Sequence, residues 1–174
     1  MRYTTIDSPI GELLLAGSEQ GLRWLWMSPL RIEPTWRHDP DAFADLRDQL
    51  DQYFAGERHE FEVQLDLAGR GFERSVWEAL LDIPYGETAS YGEIARRIGA
   101  PSAARAVGLA NGRNPVAVIV PCHRVIGADG SLTGYGGGLE RKRFLLELEA
   151  GVLPLSASDR GDPQTAARSG VRVG

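Results

Sequence analysis

The hydrophobic pattern of the chain changes from strand-like to helix-like near residue 70. Before that point, short apolar stretches separated by turn residues, Tyr3–Ile6, Glu12–Ala16 and Leu22–Met27, predict three strands of an antiparallel meander. After it, apolar residues recur every three or four positions. The pattern therefore predicts an α+β protein, with a small N-terminal antiparallel-sheet α/β domain over residues 1–70 and a mostly helical C-terminal domain over 71–151.

A helix and a further strand complete the predicted first domain. Asp39-Pro40 is a typical helix start, and apolar residues at three- and four-residue spacing continue from Phe43 until Gly56 ends the helix. Between Phe61 and Leu67, apolar and polar residues alternate, which is typical of a half-buried strand.

The second domain contains a predicted helix-turn-helix. Ser90 and Glu93 have the spacing of a capping box, Gly99 ends that helix, and Ser102 is predicted as the N-cap of a second helix from Ala103 to Asn111. From spacing alone, an ordinary helical corner is an equal alternative. The second helix carries mostly small residues around one arginine, a pattern that suits close approach to another surface and also tight helix packing.

A single cysteine sits in the segment Pro121-Cys122-His123-Arg124, after the apolar run Val116–Val120, which predicts a buried strand. With no second cysteine, the thiol is either inert core filler or a reactive sulfur. The proline, histidine and arginine around it favour the reactive role. We expect the neighbouring base and positive charge to lower the pKa of the Cys122 thiol.

Three features follow the cysteine. The glycine-rich loop Gly134–Gly138 is either a flexible bend or a wall that brings backbone amides against a flat ligand, with Tyr135 beside it. Residues Glu140–Ala150 predict an amphipathic helix that ends at Gly151. The polar, aperiodic residues 152–174 predict a disordered tail.

Charge is divided unevenly along the chain. Residues 1–70 hold 7 basic and 13 acidic side chains (net −6), whereas residues 85–143 hold 8 basic and 4 acidic ones (net +4), although the whole chain carries −5. The half that contains the cysteine can therefore contact phosphate. The sequence offers no apolar stretch long enough for a membrane span and no signal peptide, so we expect a cytoplasmic protein that does not bind membranes.

The segment from Pro121 to Gly127, together with Ala103–Gly108 and Asn114-Pro115, resembles the O6-alkylguanine-DNA alkyltransferases. The resemblance covers residues 72–151 almost continuously, whereas the first 70 residues match only in pattern. It implies DNA repair by direct damage reversal: after nucleotide flipping, the alkyl group of O6-alkylguanine, and also of O4-alkylthymine, moves irreversibly to the protein's own cysteine.

The resemblance assigns the chemistry to four residues. Cys122 is implied as the alkyl acceptor, and His123 as the base that takes the thiol proton through a water. Glu149 is implied to orient the imidazole, and Asn114 to brace the turn before the cysteine. A soft sulfur anion suits displacement at saturated carbon. This chemistry agrees with the reactive role that the residues around Cys122 indicate.

The resemblance also implies a DNA surface and a base pocket. Arg105 would fill the space left by the flipped nucleotide, with Ser102 and Ala104 beside it on the DNA and Tyr91 assisting the flip. The implied substrate pocket is formed by Tyr91, Tyr135, Gly136 and Val125. Gly136 stands where some relatives carry serine, so we expect a changed preference for bulky adducts.

The implied partner is double-stranded DNA containing O6-alkylguanine, bound by a monomer. Whether molecules assemble cooperatively on DNA stays open. No cofactor is expected, and no metal, because one cysteine cannot supply the zinc site of some relatives. Two other functions remain as alternatives: a binding-only damage sensor, which would not need Cys122, and a Cys-His hydrolase, which would turn over repeatedly and leave Arg105 without a role.

Overall fold

The computed structural model describes residues 1–69 and 71–152. Its N-terminal half is built on a four-stranded sheet with the order β3-β2-β1-β4. Strands β1 to β3 form the predicted antiparallel meander, and the short β4 runs parallel to β1. The strands are β1 (Arg2–Ile6), β2 (Leu13–Ser18), β3 (Gly21–Met27) and β4 (Arg37–His38).

The helix of this half begins later than predicted. Helix α1 spans Ala44–Phe54, and the residues after Asp39-Pro40 form a turn in which the amide of Ala42 donates to the carbonyl of Asp39. Phe43 has a φ of 61°, which lies outside the helical region and delays the helix start. The buried face of α1, which includes Leu46, Leu50 and Tyr53, belongs to the same core as the sheet.

The predicted strand from Phe61 to Leu67 is wrong. Only Leu65 forms a bridge, with Leu22, the second residue of β3. Nearer the start of the segment, the side chain of Gln49 replaces a strand partner: its Nε2 donates to the carbonyl of Glu62, and its Oε1 accepts from the amide of Glu62. Alternation signals half-burial, but a strand also needs a continuous backbone partner, which this segment lacks.

The C-terminal half is mostly helical, as predicted. Helices α2, α3 and α4 pack against one another, and a two-residue ladder joins β5 to β6 in parallel. The indole of Trp77 donates to the carbonyl of Ala110 at 2.8 Å, which fastens α2 to the end of α4. The elements are α2 (Phe72–Leu81), β5 (Ala89–Ser90), α3 (Tyr91–Arg97), α4 (Ala104–Gly112), β6 (Val125–Ile126) and α5 (Leu139–Glu149).

The two helix starts of the helix-turn-helix differ. The capping box of α3 is confirmed, since Ser90 Oγ accepts from the amide of Glu93 and the Glu93 carboxylate accepts from the amide of Ser90. Ser102 is not an N-cap. Helix α4 begins at Ala104 and has no side-chain cap, because Pro101 and Ser102 form a turn before it.

The apolar run Val116–Val120 is buried, but it is not the predicted strand. Val116 forms a single bridge with Leu25, after which the chain turns, with the amide of Val120 donating to the carbonyl of Val116. Val118 has a φ of 73°, a conformation that strands do not contain and that is costly for a β-branched residue. Burial explains the apolar composition, and periodicity could not separate a buried turn from a buried strand.

One hydrophobic core includes residues from both halves. The backbone of Leu25 in β3 also joins them directly, because its amide donates to the carbonyl of Pro115 and its carbonyl accepts from the amide of Ala117. None of the described helices could cross a membrane. The division at residue 70 and the disordered tail stay predictions, and the tail lies outside the described residues apart from Val152.

The capping geometry predicts a stability difference between two serines. Ser90→Ala should lower the free energy of unfolding by about 1 kcal/mol, because it leaves amides at the start of α3 without a partner. Ser102→Ala is the matched control and should change it by less than about 0.5 kcal/mol. Urea unfolding of both variants measures the difference, and equal effects would contradict it.

Candidate active site

Cys122 follows the buried turn Val116–Val120. It begins a short 3₁₀ turn formed by Cys122–Arg124. The residue is 4% exposed and lines a cavity of about 440 Å³. Both halves of the chain contribute to this cavity, so the reactive sulfur sits between them. The lining residues are Trp24, Leu25, Trp26, Met27, Ser28, Pro29, Arg31, Asn111, Gly112, Arg113, Asn114, Ala117, Cys122, Tyr135, Gly136 and Gly137.

Asn114 fixes the turn that carries the sulfur. Its Nδ2 donates to the carbonyl of Val120 at 2.7 Å and to Cys122 Sγ at 3.0 Å, and its Oδ1 accepts from the amide of Val116 at 3.0 Å. Asn111, which sequence reasoning missed, donates to the carbonyl of Cys122 at 3.2 Å. The sequence signal for Asn111 was a polar residue on a helix face whose other residues are apolar.

Burial raises the pKa of the Cys122 thiol to about 11, although the hydrogen bond from Asn114 and the positive charge of Lys142 act in the opposite direction. The expectation of a lowered pKa is therefore wrong. Arg124 is close to Cys122 in the sequence, but its positive charge does not lie beside the sulfur. Its guanidinium hydrogen-bonds to Glu149 instead. At neutral pH the resting residue is a thiol that needs a base.

His123 and Glu149 form a buried pair, with His123 Nε2 at 2.7 Å from Glu149 Oε1. The carboxylate also accepts two bonds of 2.9 Å from Arg124, one of 2.7 Å from the hydroxyl of Tyr53, and one of 3.2 Å from the amide of Gly86. Burial alone would raise the pKa of Glu149. The hydrogen bonds from His123 and Arg124 outweigh it and hold that pKa well below its usual value.

The ionised carboxylate fixes the tautomer of His123. Burial lowers the pKa of His123, even though Glu149 acts to raise it, so the ring is neutral at neutral pH. An ionised carboxylate can only accept, so the ring proton lies on Nε2 and Nδ1 is left as an acceptor. No group in the described part of the chain is within hydrogen-bond distance of Nδ1. The ring is therefore a neutral base with one free acceptor nitrogen.

Two residues that hydrogen-bond to Glu149, Tyr53 and Arg124, were not among the predicted catalytic residues. Tyr53 is on α1 in the N-terminal half, and its position in the sequence indicates only a core residue. Arg124 appears in the motif as a charge near the sulfur, but it ties Glu149 to the carbonyl of Ile83 through a bond of 2.6 Å. Sequence alone could not assign either contact, because both depend on how distant segments meet.

The predicted pocket residues separate into two groups. Tyr135 and Gly136 line the cavity, whereas Val125 and Tyr91 do not. The carbonyl of Val125 accepts from the buried Nζ of Lys142 at 2.5 Å, and Lys142 also donates to the carbonyl of Thr133 at 2.7 Å. The hydroxyl of Tyr91 donates to the same Thr133 carbonyl at 3.0 Å. Lys142 is a further residue that the sequence did not single out.

The predicted DNA-contact residues lie at the start of α4 and just before it. Arg105 and Ser102 are exposed, and Ala104 is partly exposed. Gly108 faces the ring of Tyr91, since a Cβ atom on Gly108 would lie 3.7 Å from that ring. This distance is an ordinary van der Waals contact, so the space at Gly108 would also admit a methyl group. No cluster of three or more His, Cys, Asp or Glu residues suited to a metal ion occurs within residues 1–69 and 71–152.

Comparisons with known proteins identify both halves. Residues 1–67 match the family model of the 6-O-methylguanine DNA methyltransferase, ribonuclease-like domain, and residues 71–151 match that of the 6-O-methylguanine DNA methyltransferase, DNA binding domain. The first match extends to the half in which the sequence resembles the family only in pattern.

Individual relatives agree with the family models. A methylated-DNA–protein-cysteine methyltransferase from Mycobacterium bovis is 63% identical over 157 residues, which are 88% of this chain and 95% of that protein. A protein of the same name from Methanosarcina acetivorans is 53% identical over 153 residues, which are 86% of this chain and 98% of that one.

A solved structure gives the same result for the fold. The crystal structure of Mycobacterium tuberculosis OGT in complex with DNA superposes with a TM-score of 0.85 at 63% identity, and the match covers 88% of this chain and 96% of that one. The resemblance found in the sequence is confirmed: two matching family models and relatives of high identity over nearly their whole length show that the chain belongs to the 6-O-methylguanine DNA methyltransferase family.

Proposed function

We propose that the protein repairs O6-alkylguanine in double-stranded DNA by moving the alkyl group irreversibly onto Cys122, once per molecule. O4-alkylthymine is a second substrate. The observation that carries the proposal is a buried thiol at a cavity of base-accepting size, with a neutral His123 and an ionised Glu149 packed behind it. The reaction takes place in the cytoplasm, where reducing conditions keep a single thiol free.

The proton of the thiol moves first. With the Cys122 pKa raised to about 11, little thiolate exists at neutral pH, so a base has to remove the thiol proton before the sulfur attacks. Nδ1 of His123 accepts this proton through one water molecule, and the resulting imidazolium is stabilised by the carboxylate of Glu149. Asn114 contributes by donating to the sulfur, a hydrogen bond that stabilises its anionic form.

The sulfur then displaces the base at saturated carbon. A bond forms between Sγ of Cys122 and the alkyl carbon, the bond from that carbon to O6 breaks, and its electron pair stays on O6. The repaired guanine, which stays part of the DNA, takes up one proton, which balances the one that the thiol gave up. The backbone amide of Gly136 donates to O6 in this arrangement, and Tyr135 lies beside the base.

Two carbonyls are proposed to recognise the exocyclic amine of guanine. The Cys122 carbonyl already accepts from Asn111, and the Val125 carbonyl from Lys142. A carbonyl oxygen has two lone pairs, so each can accept a second bond.

DNA is held by the helix-turn-helix of α3 and α4. The target carbon lies inside the base stack, so the nucleotide must be flipped out to reach a buried sulfur. Arg105 enters the stack in its place, Ser102 and Ala104 contact the DNA beside it, and Tyr91 assists the flip. The small residues of α4 suit close approach to the minor groove, where base patterns are degenerate and a scanner for damage needs no sequence preference.

Stoichiometry separates this function from a Cys-His hydrolase. The thioether on Cys122 has no easy leaving group, so repaired guanine should never exceed one per protein molecule when an oligonucleotide containing O6-methylguanine is in excess. Intact mass and peptide mapping should find one methyl group on the peptide that contains Cys122. Cys122→Ser should bind the same DNA without transfer. Repair beyond one equivalent, or transfer by the serine variant, would overturn the proposal.

Arg105→Ala should slow repair of duplex DNA much more than reaction with free O6-benzylguanine base, because only the duplex has a vacated stack to fill. We expect a cost of a few kcal/mol on the duplex, comparable to the cost of unstacking a base. Single-turnover rates on the two substrates measure the effect. Arg143→Ala, which removes an exposed charge from α5, is the control, and equal losses on both substrates would refute the role of Arg105.

Glu149→Gln should change both the height and the pH dependence of the transfer rate. The rate of the parent protein falls at acidic pH as His123 becomes protonated, and Glu149 raises the pKa of His123. Removing its charge therefore shifts this acidic limb to lower pH, while the plateau falls roughly a hundredfold because the imidazolium loses its counterion. Glu147→Gln on the same helix should change neither. A limb that moved to higher pH would contradict the assignment.

A further inference from the structure

Three separate backbone segments meet at the side chain of Arg141, near the start of α5. Its Nε donates to the carbonyl of Ile10 at 2.7 Å, and its Nη1 donates to the carbonyls of Ser28 at 3.0 Å and of Gly137 at 3.1 Å. Ile10 lies in the connection between β1 and β2, Ser28 directly follows β3, and Gly137 belongs to the glycine-rich loop. The alkyl transfer described above makes no use of this residue.

Two of these carbonyls belong to adjoining walls of the cavity that contains Cys122. Ser28 lines it from the N-terminal half, and Gly137 lines it from the loop that also carries Tyr135 and Gly136. A single nitrogen of Arg141 donates to both. The spacing between the two walls is therefore set by one guanidinium group.

The connection between β1 and β2 holds the guanidinium of Arg141 in place. Besides the bond to Ile10, a Cβ atom on Gly11 would lie 3.3 Å from the other terminal nitrogen of Arg141. The absence of a side chain on Gly11 allows this close approach. The N-terminal half thus positions Arg141, and Arg141 in turn positions the loop.

The walls leave almost no free space where they touch. A Cβ atom on Gly137 would lie 2.6 Å from the sulfur of Met27 and 2.7 Å from the ring of Tyr135, distances that real Cβ atoms do not adopt. Met27 and Tyr135 both line the cavity, and the hydroxyl of Tyr135 lies 4.0 Å from the Met27 sulfur. A shift of the loop would therefore change the cavity directly.

Arginine suits this position better than any other side chain. Its planar group presents several donors in a fixed fork and stays charged, so it can hold carbonyls in different directions at once. Hydrogen bonds from a charged donor are also stronger than neutral ones. Lysine could reach some of the same oxygens, but without a fixed direction between its bonds.

We propose that Arg141 is a positioning residue for the alkyl transfer. It holds the N-terminal wall and the glycine-rich loop at the separation that places Tyr135 and the amide of Gly136 against the flipped base. The inference rests on the proposed function, and it gives the N-terminal half a part in the reaction. Arg141 itself does not touch the reacting atoms.

The test compares Arg141→Met, Arg141→Lys and the matched control Arg143→Met, all on α5. Free O6-benzylguanine, whose benzylic carbon is readily displaced, and duplex DNA containing O6-methylguanine are the two substrates. We expect Arg141→Met to lower the saturating single-turnover rate on both by roughly ten- to a hundredfold, since small misplacements have effects of this size. Affinity for DNA should be unchanged, Arg141→Lys should recover part of the rate, and the control should match the parent protein.

Hydrogen exchange on the unreacted protein supplies a readout that does not depend on transfer. Arg141→Met should speed exchange in the peptide covering Gly134–Gly138 while the amides of α2 keep their protection, whereas a general loss of stability would speed both. Failure of the parent protein to transfer would overturn the proposed function, but this exchange difference would still test the contact. Unchanged exchange in the loop would overturn the inference.

Gly137→Ala is a second variant that keeps Arg141 and places a methyl group against the sulfur of Met27 and the ring of Tyr135, so that one of these side chains or the loop has to move. It should reproduce the rate loss on both substrates, and it serves with Arg141→Lys if Arg141→Met does not fold at the assay temperature. A parent-like rate for folded Arg141→Met or for Gly137→Ala would overturn the proposal. So would a loss confined to the duplex, because it would place Arg141 in DNA binding.

Discussion

The buried carboxylate of Glu149 accepts hydrogen bonds from three regions of the chain: α1, the turn after α2 and the 3₁₀ turn of the cysteine. A buried charge is costly unless it is paired and its lone pairs are satisfied, so each of these regions is constrained to meet the end of α5. Removing one partner of such a pair leaves an uncompensated charge. The same contact that orients His123 therefore also fixes how the two halves of the protein pack.

The protonation states around this carboxylate suit the single use proposed for Cys122. A buried thiol with a raised pKa reacts slowly with soluble electrophiles and oxidants, because thiolate is the reactive form. A thiolate activated permanently by a neighbouring charge would be consumed without repairing anything. With the role proposed for His123, the sulfur would become nucleophilic only while His123 can take its proton, so the thiol would react with a substrate that fits the cavity.

The sequence was informative about several elements that local rules decide, although the helix start at Asp39-Pro40 and the N-cap at Ser102 were wrong. The meander of β1 to β3, the capping box of Ser90 and the existence of helix α5 follow from turn residues, capping chemistry and periodicity, whereas α5 is not clearly amphipathic because it buries Lys142 and Glu149 beside two leucines. The sequence was misleading where composition reflects burial and not conformation, as in Val116–Val120 and in the segment from Phe61 to Leu67. Alternation or apolar content does not reveal whether a neighbouring backbone is available.

The site was predictable only in part. The motif around Cys122 predicted a reactive residue and its base, and these roles stay predictions. The contacts of Tyr53 and Lys142 join residues from different elements and leave no local signal, whereas Asn111 could have been noticed as a polar residue on the buried face of a helix. The raised pKa of Cys122 was missed for a related reason. Adjacent residues on a 3₁₀ turn point in different directions, so the charge of Arg124 is directed towards Glu149 and not towards the sulfur.

The ladder between β5 and β6 is only two residue pairs long, yet it connects the start of α3 to the residues that follow the reactive turn. Ala89 pairs with Val125 and Ser90 with Ile126, immediately before Tyr91 and shortly after Cys122. This ladder therefore sets the distance between the surface proposed to hold DNA and the sulfur of Cys122. If α3 and α4 hold DNA as proposed, a flipped nucleotide reaches Cys122 only when its length matches this distance, so the fold itself would contribute to selecting the substrate.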